Sequence, residues 1–127
     1  MTLTEFLLAR IADDEAVARK VPGQHFSTWN RSWDAGFRDL VIDAGEGGRL
    51  VTLPETMDEH VCRWDPARVL AECAAKRAIV EEHGPVGVDC RSCGVADEHG
   101  VDYPCPTLRI LAAVYAEHPD YQEVWHV

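Results

Sequence analysis

Apolar residues recur at helical spacing in three stretches of the chain, and between the first two they fall into short runs broken by glycine. Leu3, Phe6, Leu7 and Ile11 stand at i, i+3, i+4 and i+8, the stripe of an amphipathic helix that runs to Val17 or Ala18. Thr2 followed by Glu5 has the form of a capping box, in which hydroxyl and carboxylate each satisfy an orphan backbone N–H at the helix start. Pro22-Gly23 ends this helix. Glu5, Arg10, Asp13, Asp14 and Arg19 lie on its outer face, which is expected to be solvated surface. A second helix is predicted from Asp65-Pro66, an N-cap followed by a proline whose missing N–H costs nothing at the first helical position. It carries Val69, Leu70, Cys73 and Val80 on one stripe and a Glu72–Lys76 pair on the wetter side, with Gly84 as its C-cap and Pro85 preventing continuation. Cys105-Pro106 repeats the start signal, and Leu108, Leu111, Ala112 and Tyr115 form one face of a third helix that His118-Pro119 terminates. The tail, with Tyr121 and Trp125, is expected to dock on the body.

Residues 24–53 are richer in aromatic and β-branched side chains. Strands are predicted over 26–29, 40–42 and 50–53, with a turn at 34–36 and a hairpin loop at 44–48; a sheet this small needs a helix on one face to be stable. Trp29 and Trp33 are expected to help pack it, the alternative being that they line a ligand groove with Phe37. Pro54 ends the sheet, and 55–64 reads as a short helical turn carrying His60. The expected fold is α+β: about three helices packed on a small antiparallel sheet of about three strands, in a single domain spanning 1–127.

The candidate chemistry is concentrated between His83 and Cys105. Cys90 and Cys93 form a Cys-x-x-Cys pair in a Gly-rich polar turn, Cys105 opens the third helix, and His83 closes the second. Three thiolates and one imidazole are a common closed tetrahedral set for zinc, whose borderline softness suits both donors. A zinc-stabilised loop between the last two helices would also give a reason for order to some 20 residues that otherwise lack one. His99 competes with His83 for the fourth corner, and Asp89, Asp97 and Asp102 are more distant alternatives. Cys62 and Cys73 lie outside the cluster and are expected to be small apolar fillers.

Composition narrows the function. The chain has 127 residues, a length for one domain, and a formal net charge of −10 with no stripe of Lys or Arg. Release of counterions from phosphates needs clustered cations, so general nucleic-acid binding is not expected. No apolar run approaches the length of a membrane span, and Asp13, Asp14 and Glu15 come too early for a signal peptide, so the protein is expected to stay in the cytoplasm. Five cysteines in a reducing compartment point to metal or redox chemistry in preference to a disulfide framework. No Ser-His-Asp order or phosphate-binding glycine loop is present, and Gly45, Gly47 and Gly48 are turn residues.

Several segments together carry a resemblance: the Phe6-Leu7-Leu8-Ala9-Arg10 helix, His60 before Asp65-Pro66-Ala67-Arg68-Val69-Leu70, Ala75-Lys76-Arg77 followed by His83, Pro104-Cys105-Pro106-Thr107-Leu108-Arg109, and Tyr115 to Tyr121. The chain resembles a family of small uncharacterised proteins from actinobacteria and their phages, classed as a domain of unknown function. The resemblance implies that His83, Cys90, Cys93 and Cys105 belong together, which favours His83 over His99.

The expected function is a non-catalytic binding or adaptor protein with a structural zinc site and another protein as its partner. One alternative is a thiol redox switch using Cys90 and Cys93. Another is a zinc-dependent hydrolase using His60, Arg63 and a zinc-bound water; Asp65 could join His60 and Arg63 in a polar site but is expected to be only the helix cap. A mimic of DNA, resting on the net charge, is a further alternative.

Overall fold

Thr2 and Glu5 close the box that the sequence predicts: the Thr2 N–H donates to the Glu5 carboxylate at 2.7 Å, and the Glu5 N–H donates to the Thr2 hydroxyl at 3.2 Å. The carboxyl of Glu5 is held below its usual range chiefly by that backbone bond, then by the Thr2 hydroxyl. The helix they start, α1, spans Leu3–Arg19. The computed structural model describes residues 1–20, 30–34, 39–43, 49–52, 55–94 and 100–127. These hold β1 (Asn30–Asp34), β2 (Asp39–Asp43), β3 (Arg49–Thr52), α2 (Glu55–Arg63), α3 (Pro66–Glu82), β4 (Pro85–Val86), β5 (Asp89–Cys90) and α4 (Pro106–Ala112). Single 3-10 turns follow at Ala113–Tyr115 and Glu123–Trp125. The fold is therefore mixed, helices with small antiparallel sheet, and no described helix is long and apolar enough to cross a membrane.

The chain divides into two compact units, residues 14–72 and residues 1–13 with 73–127. In the first, β1, β2 and β3 form an antiparallel meander, and α2 lies against β1 and β2. The strands predicted at 40–42 and 50–53 correspond to β2 and β3, whereas the strand predicted at 26–29 lies outside the described residues. Asp34, expected in a turn, instead ends β1. The polar run Asn30-Arg31-Ser32-Trp33-Asp34 has no apolar alternation to announce a strand; its extended form comes from pairing with β2, with Arg31 opposite Ile42 and Trp33 opposite Leu40. The expected helical turn at 55–64 is a nine-residue helix, so the described α-helices number four where about three were expected. Asp65 caps α3 as predicted, accepting the Arg68 N–H at 2.9 Å.

The second unit has a continuous core. Leu3, Phe6, Leu7 and Ile11 are all essentially inaccessible, as are Cys73, Leu108 and Ala112. Phe6 is ringed by Trp125, His118, Tyr121 and Tyr115, with centroids 5.1, 5.7, 5.9 and 6.3 Å away, three of them edge-on. Edge-on packing sets the positive rim of one ring against the negative face of another. The tail thus docks as expected, and Gln122 donates to the Met1 carbonyl at 3.2 Å. Arg10 departs from expectation. It is not outer-face surface, because its guanidinium sits 5.5 Å from the Phe6 centroid, pairs with Asp13 at 2.8 Å and meets His118. Tyr103 also reaches this core through a hydroxyl contact with Thr4.

Replacing Phe6 removes the centre of this cluster and leaves a cavity. Phe6→Ala is expected to cost about 3–5 kcal/mol in urea unfolding, against less than about 0.5 kcal/mol for Val17→Ala on the exposed side of the same helix.

Candidate metal centre

The end of α3 is built to present one imidazole. The His83 N–H donates to Ile79 O at 3.0 Å, the Gly84 N–H tightens back onto Glu81 O at 3.1 Å, and Pro85 has no N–H with which to continue. The β4–β5 hairpin follows at once, turned by Gly87 at φ 63°, a left-handed conformation that favours glycine. The Arg91 N–H bonds to Gly84 O at 2.9 Å and closes the base of the hairpin. Cys90, the last residue of β5, therefore leaves from paired backbone.

The next four residues fold back on themselves. The Gly94 N–H donates to Cys90 O at 2.8 Å, which brings Cys93 beside Cys90. A Cβ at position 94 would lie 2.9 Å from the Cys90 carbonyl oxygen and 3.1 Å from the Asp89 Cβ, so the turn has no room for one. At its tip the Ser92 hydroxyl lies 2.8 Å from the Glu82 carbonyl and 2.7 Å from the Glu82 carboxylate, tying the turn to the end of α3.

Residues 101–103 then return alongside β5. The Cys90 N–H donates to Val101 O at 2.8 Å and the Tyr103 N–H to Val88 O at 2.9 Å, with Asp89 and Asp102 bridged between them. This pairing delivers the chain to Cys105, which is the N-cap of α4 with Pro106 behind it. Its side chain makes no capping bond. Cys105, Leu108 and Ala112 stand at i, i+3 and i+7 and are all fully buried, so the face that α4 turns to the core also aims the sulfur.

The four groups converge. Nδ1 of His83 lies 3.5 Å from Sγ of Cys90, 3.4 Å from Sγ of Cys93 and 3.5 Å from Sγ of Cys105, and all four atoms are within 4.8 Å of one another. A ring nitrogen has one lone pair or one proton, so it can hydrogen-bond only one of three thiols. Near-equal spacing to three sulfurs is instead the geometry of one vertex of a coordination tetrahedron. With metal–sulfur bonds of about 2.3 Å and a metal–nitrogen bond of about 2.0–2.1 Å, the nitrogen-to-sulfur edge of such a tetrahedron is about 3.6 Å. His83, Cys90, Cys93 and Cys105 thus lie close enough together to bind a metal ion.

Without a cation the cluster is electrostatically divided. Burial pushes the Cys90 thiol up, but the Cys93 N–H, the His83 imidazole, the Ser92 N–H and the Cys105 thiol outweigh it and bring the group to about 7. Cys93 is pushed to about 11, by burial first and then by the two neighbouring sulfurs. Three thiolates this close repel one another, and a dication is what lets them coexist.

The other predicted groups fall as follows. His99 and Asp97 lie outside the described residues, as do His25, Trp29 and Phe37, while Trp33 falls on β1. Asp89 is half-buried, and a Cβ on Gly100 would lie 2.6 Å from its carboxylate; Asp102 is exposed. His60 and Arg63 do come together, lining an open depression of about 400 Å3 with Glu59, Trp64 and Arg68, whereas Asp65 serves as the α3 cap. Cys73 is a core residue as expected, and Cys62 is half-buried. Ser92 and the strand-like return of 101–103 went unread in the sequence, because neither residue type nor spacing marks them.

The whole chain, residues 1–127, matches a single family description. It belongs to DUF6221, a family of unknown function. No curated protein and no solved structure matches it significantly. In this DUF6221 chain the case for a metal therefore rests on the cluster's own geometry.

Two outcomes are expected of the cluster. Gly94→Ala should weaken metal retention at least about tenfold in a chelator competition, since the turn must open by several tenths of an ångström to admit the methyl. Metal titration at pH 7 in weak buffer should release about two to three protons per ion, and the apparent affinity should fall at least about a hundredfold between pH 7 and pH 6.

Proposed function

We propose that the protein is a zinc-stabilised binding or adaptor protein with a structural Cys3His site and no catalysis at the metal. The observation that carries this is the placement of His83 Nδ1 at 3.4 to 3.5 Å from three sulfurs. The donor set selects the ion: three thiolates and an imidazole in tetrahedral array suit zinc, whereas magnesium and calcium take oxygen ligands. Four protein ligands fill the tetrahedron, so no corner remains for the water that a hydrolytic zinc activates. When bound, the ion supplies a rigid cross-link. It joins the end of α3, the end of β5, the turn after it and the first residue of α4.

A protein partner is part of this proposal. Ile110 and Val114 stand four residues apart on the continuous helical run from α4 into the following 3-10 turn, and both are more than half exposed. Apolar side chains held in water by a rigid anchor suit contact with another protein better than contact with a small polar ligand.

Native mass spectrometry of the purified chain beside Cys90→Ser, before and after denaturation, tests the metal. One zinc per chain, absent from the variant, is expected, together with loss of the folded signal on strong chelation because metal binding is coupled to folding. A metal-free chain that keeps its fold overturns the proposal.

A further inference from the structure

The four ligand groups are unequally sheltered. Cys90 and Cys105 are 1% and 0% exposed, whereas Cys93 is only half-buried. Cys90 and Cys93 share one turn, closed by the Gly94-to-Cys90 backbone bond, while Cys105 is anchored at the head of another helix. The partly exposed cysteine of the turn thus has its sulfur within 4.8 Å of that of a buried cysteine three residues before it.

Building on the zinc reading, we infer that Cys93 is a site of oxidation by hydroperoxides and that Cys90 resolves it, forming a Cys90–Cys93 disulfide that expels the metal. The Cys93 sulfur, a thiolate while zinc is bound, attacks the outer oxygen of the hydroperoxide; a sulfur–oxygen bond forms, the oxygen–oxygen bond breaks, and the alcohol (water, for hydrogen peroxide) leaves with a proton from solvent. The Cys90 thiolate then attacks the Cys93 sulfenic acid. A sulfur–sulfur bond forms, the sulfur–oxygen bond breaks, and hydroxide leaves as water with a second solvent proton. Two electrons pass from the two sulfurs to the peroxide, and a dithiol reductant reverses the exchange.

The consequence follows from the ligand count. Zinc is left with His83 and Cys105 alone, too few to hold it, and the tie between α3 and α4 is undone. α4 has only seven residues and no side-chain cap, well below the length at which a helix persists in water by itself. Oxidation therefore loosens the element that carries Ile110 and its neighbour Val114. The cluster is in this sense a redox-controlled clasp on a helix with exposed apolar residues.

The test uses the full-length, zinc-loaded chain and hydrogen peroxide. Zinc release is followed with a chromogenic chelator, sulfenic acid is trapped at early times with a dimedone reagent, and disulfides are mapped by peptide mass spectrometry. The expected result is release at least about tenfold faster than in the untreated control, an early adduct on Cys93, one Cys90–Cys93 disulfide per zinc lost, and recovery with dithiothreitol and zinc. Cys62→Ser is expected to behave in the same way, since Cys62 lies outside the cluster. Zinc retained through the treatment, a first adduct on Cys90 or Cys62, or a first disulfide through Cys105 overturns this inference and leaves the structural zinc reading intact. A chain that carries no zinc before peroxide is added overturns both.

Discussion

One imidazole nitrogen faces three sulfurs at nearly equal distance, and the backbone from the end of α3 to the start of α4 is arranged around that fact. Each sulfur arrives from a different local device: the end of a β-hairpin, a turn too tight for any residue but glycine after it, and the cap position of a helix. None of these devices is strong alone. A two-stranded hairpin is marginal in water, and a seven-residue helix more so. In the zinc-loaded form proposed above, the donor atoms they deliver would hold them in one geometry. A structural zinc in such a set is worth about 10–16 kcal/mol at neutral pH in small peptides, which matches the entire net stability of an ordinary domain.

The same unit has a second organising centre in the rings around Phe6. That cluster joins the N-terminal helix to the C-terminal tail, as the approach of Gln122 to the Met1 carbonyl shows. α4 links the two centres. Its first residue supplies a sulfur, while Leu108 and Ala112 on the same face are buried in the core. Core packing and the placement of the Cys105 sulfur are therefore set by one helix in the same rotational setting.

Charge supports a division of labour. Some of the 22 acidic side chains pair along their own helices, as Glu59 with Arg63 and Glu72 with Arg68. Exposed pairs of this kind contribute little to stability. They keep the surface solvated while the apolar stripe of α1, the aromatic cluster and the sulfur cluster make the interior.

Local chemistry was enough to read the capping box at Thr2 and Glu5, the Asp65-Pro66 start of α3 and the Cys105-Pro106 start of α4. Each is written in neighbouring residues, and short-range hydrogen bonding or steric exclusion acts on neighbours directly. The polar strand β1, the inward turn of Arg10, the return of residues 101–103 beside β5 and the seating of Ser92 on Glu82 have no such local mark. Their conformations are set by partners distant in the chain: β2 for β1, Phe6 and His118 for Arg10, β5 for Val101 and Tyr103. The sequence by itself therefore determined which groups are available and where helices begin. Only the tertiary structure decided which of them meet, because pairing and packing are free energies of contacts that no single segment contains.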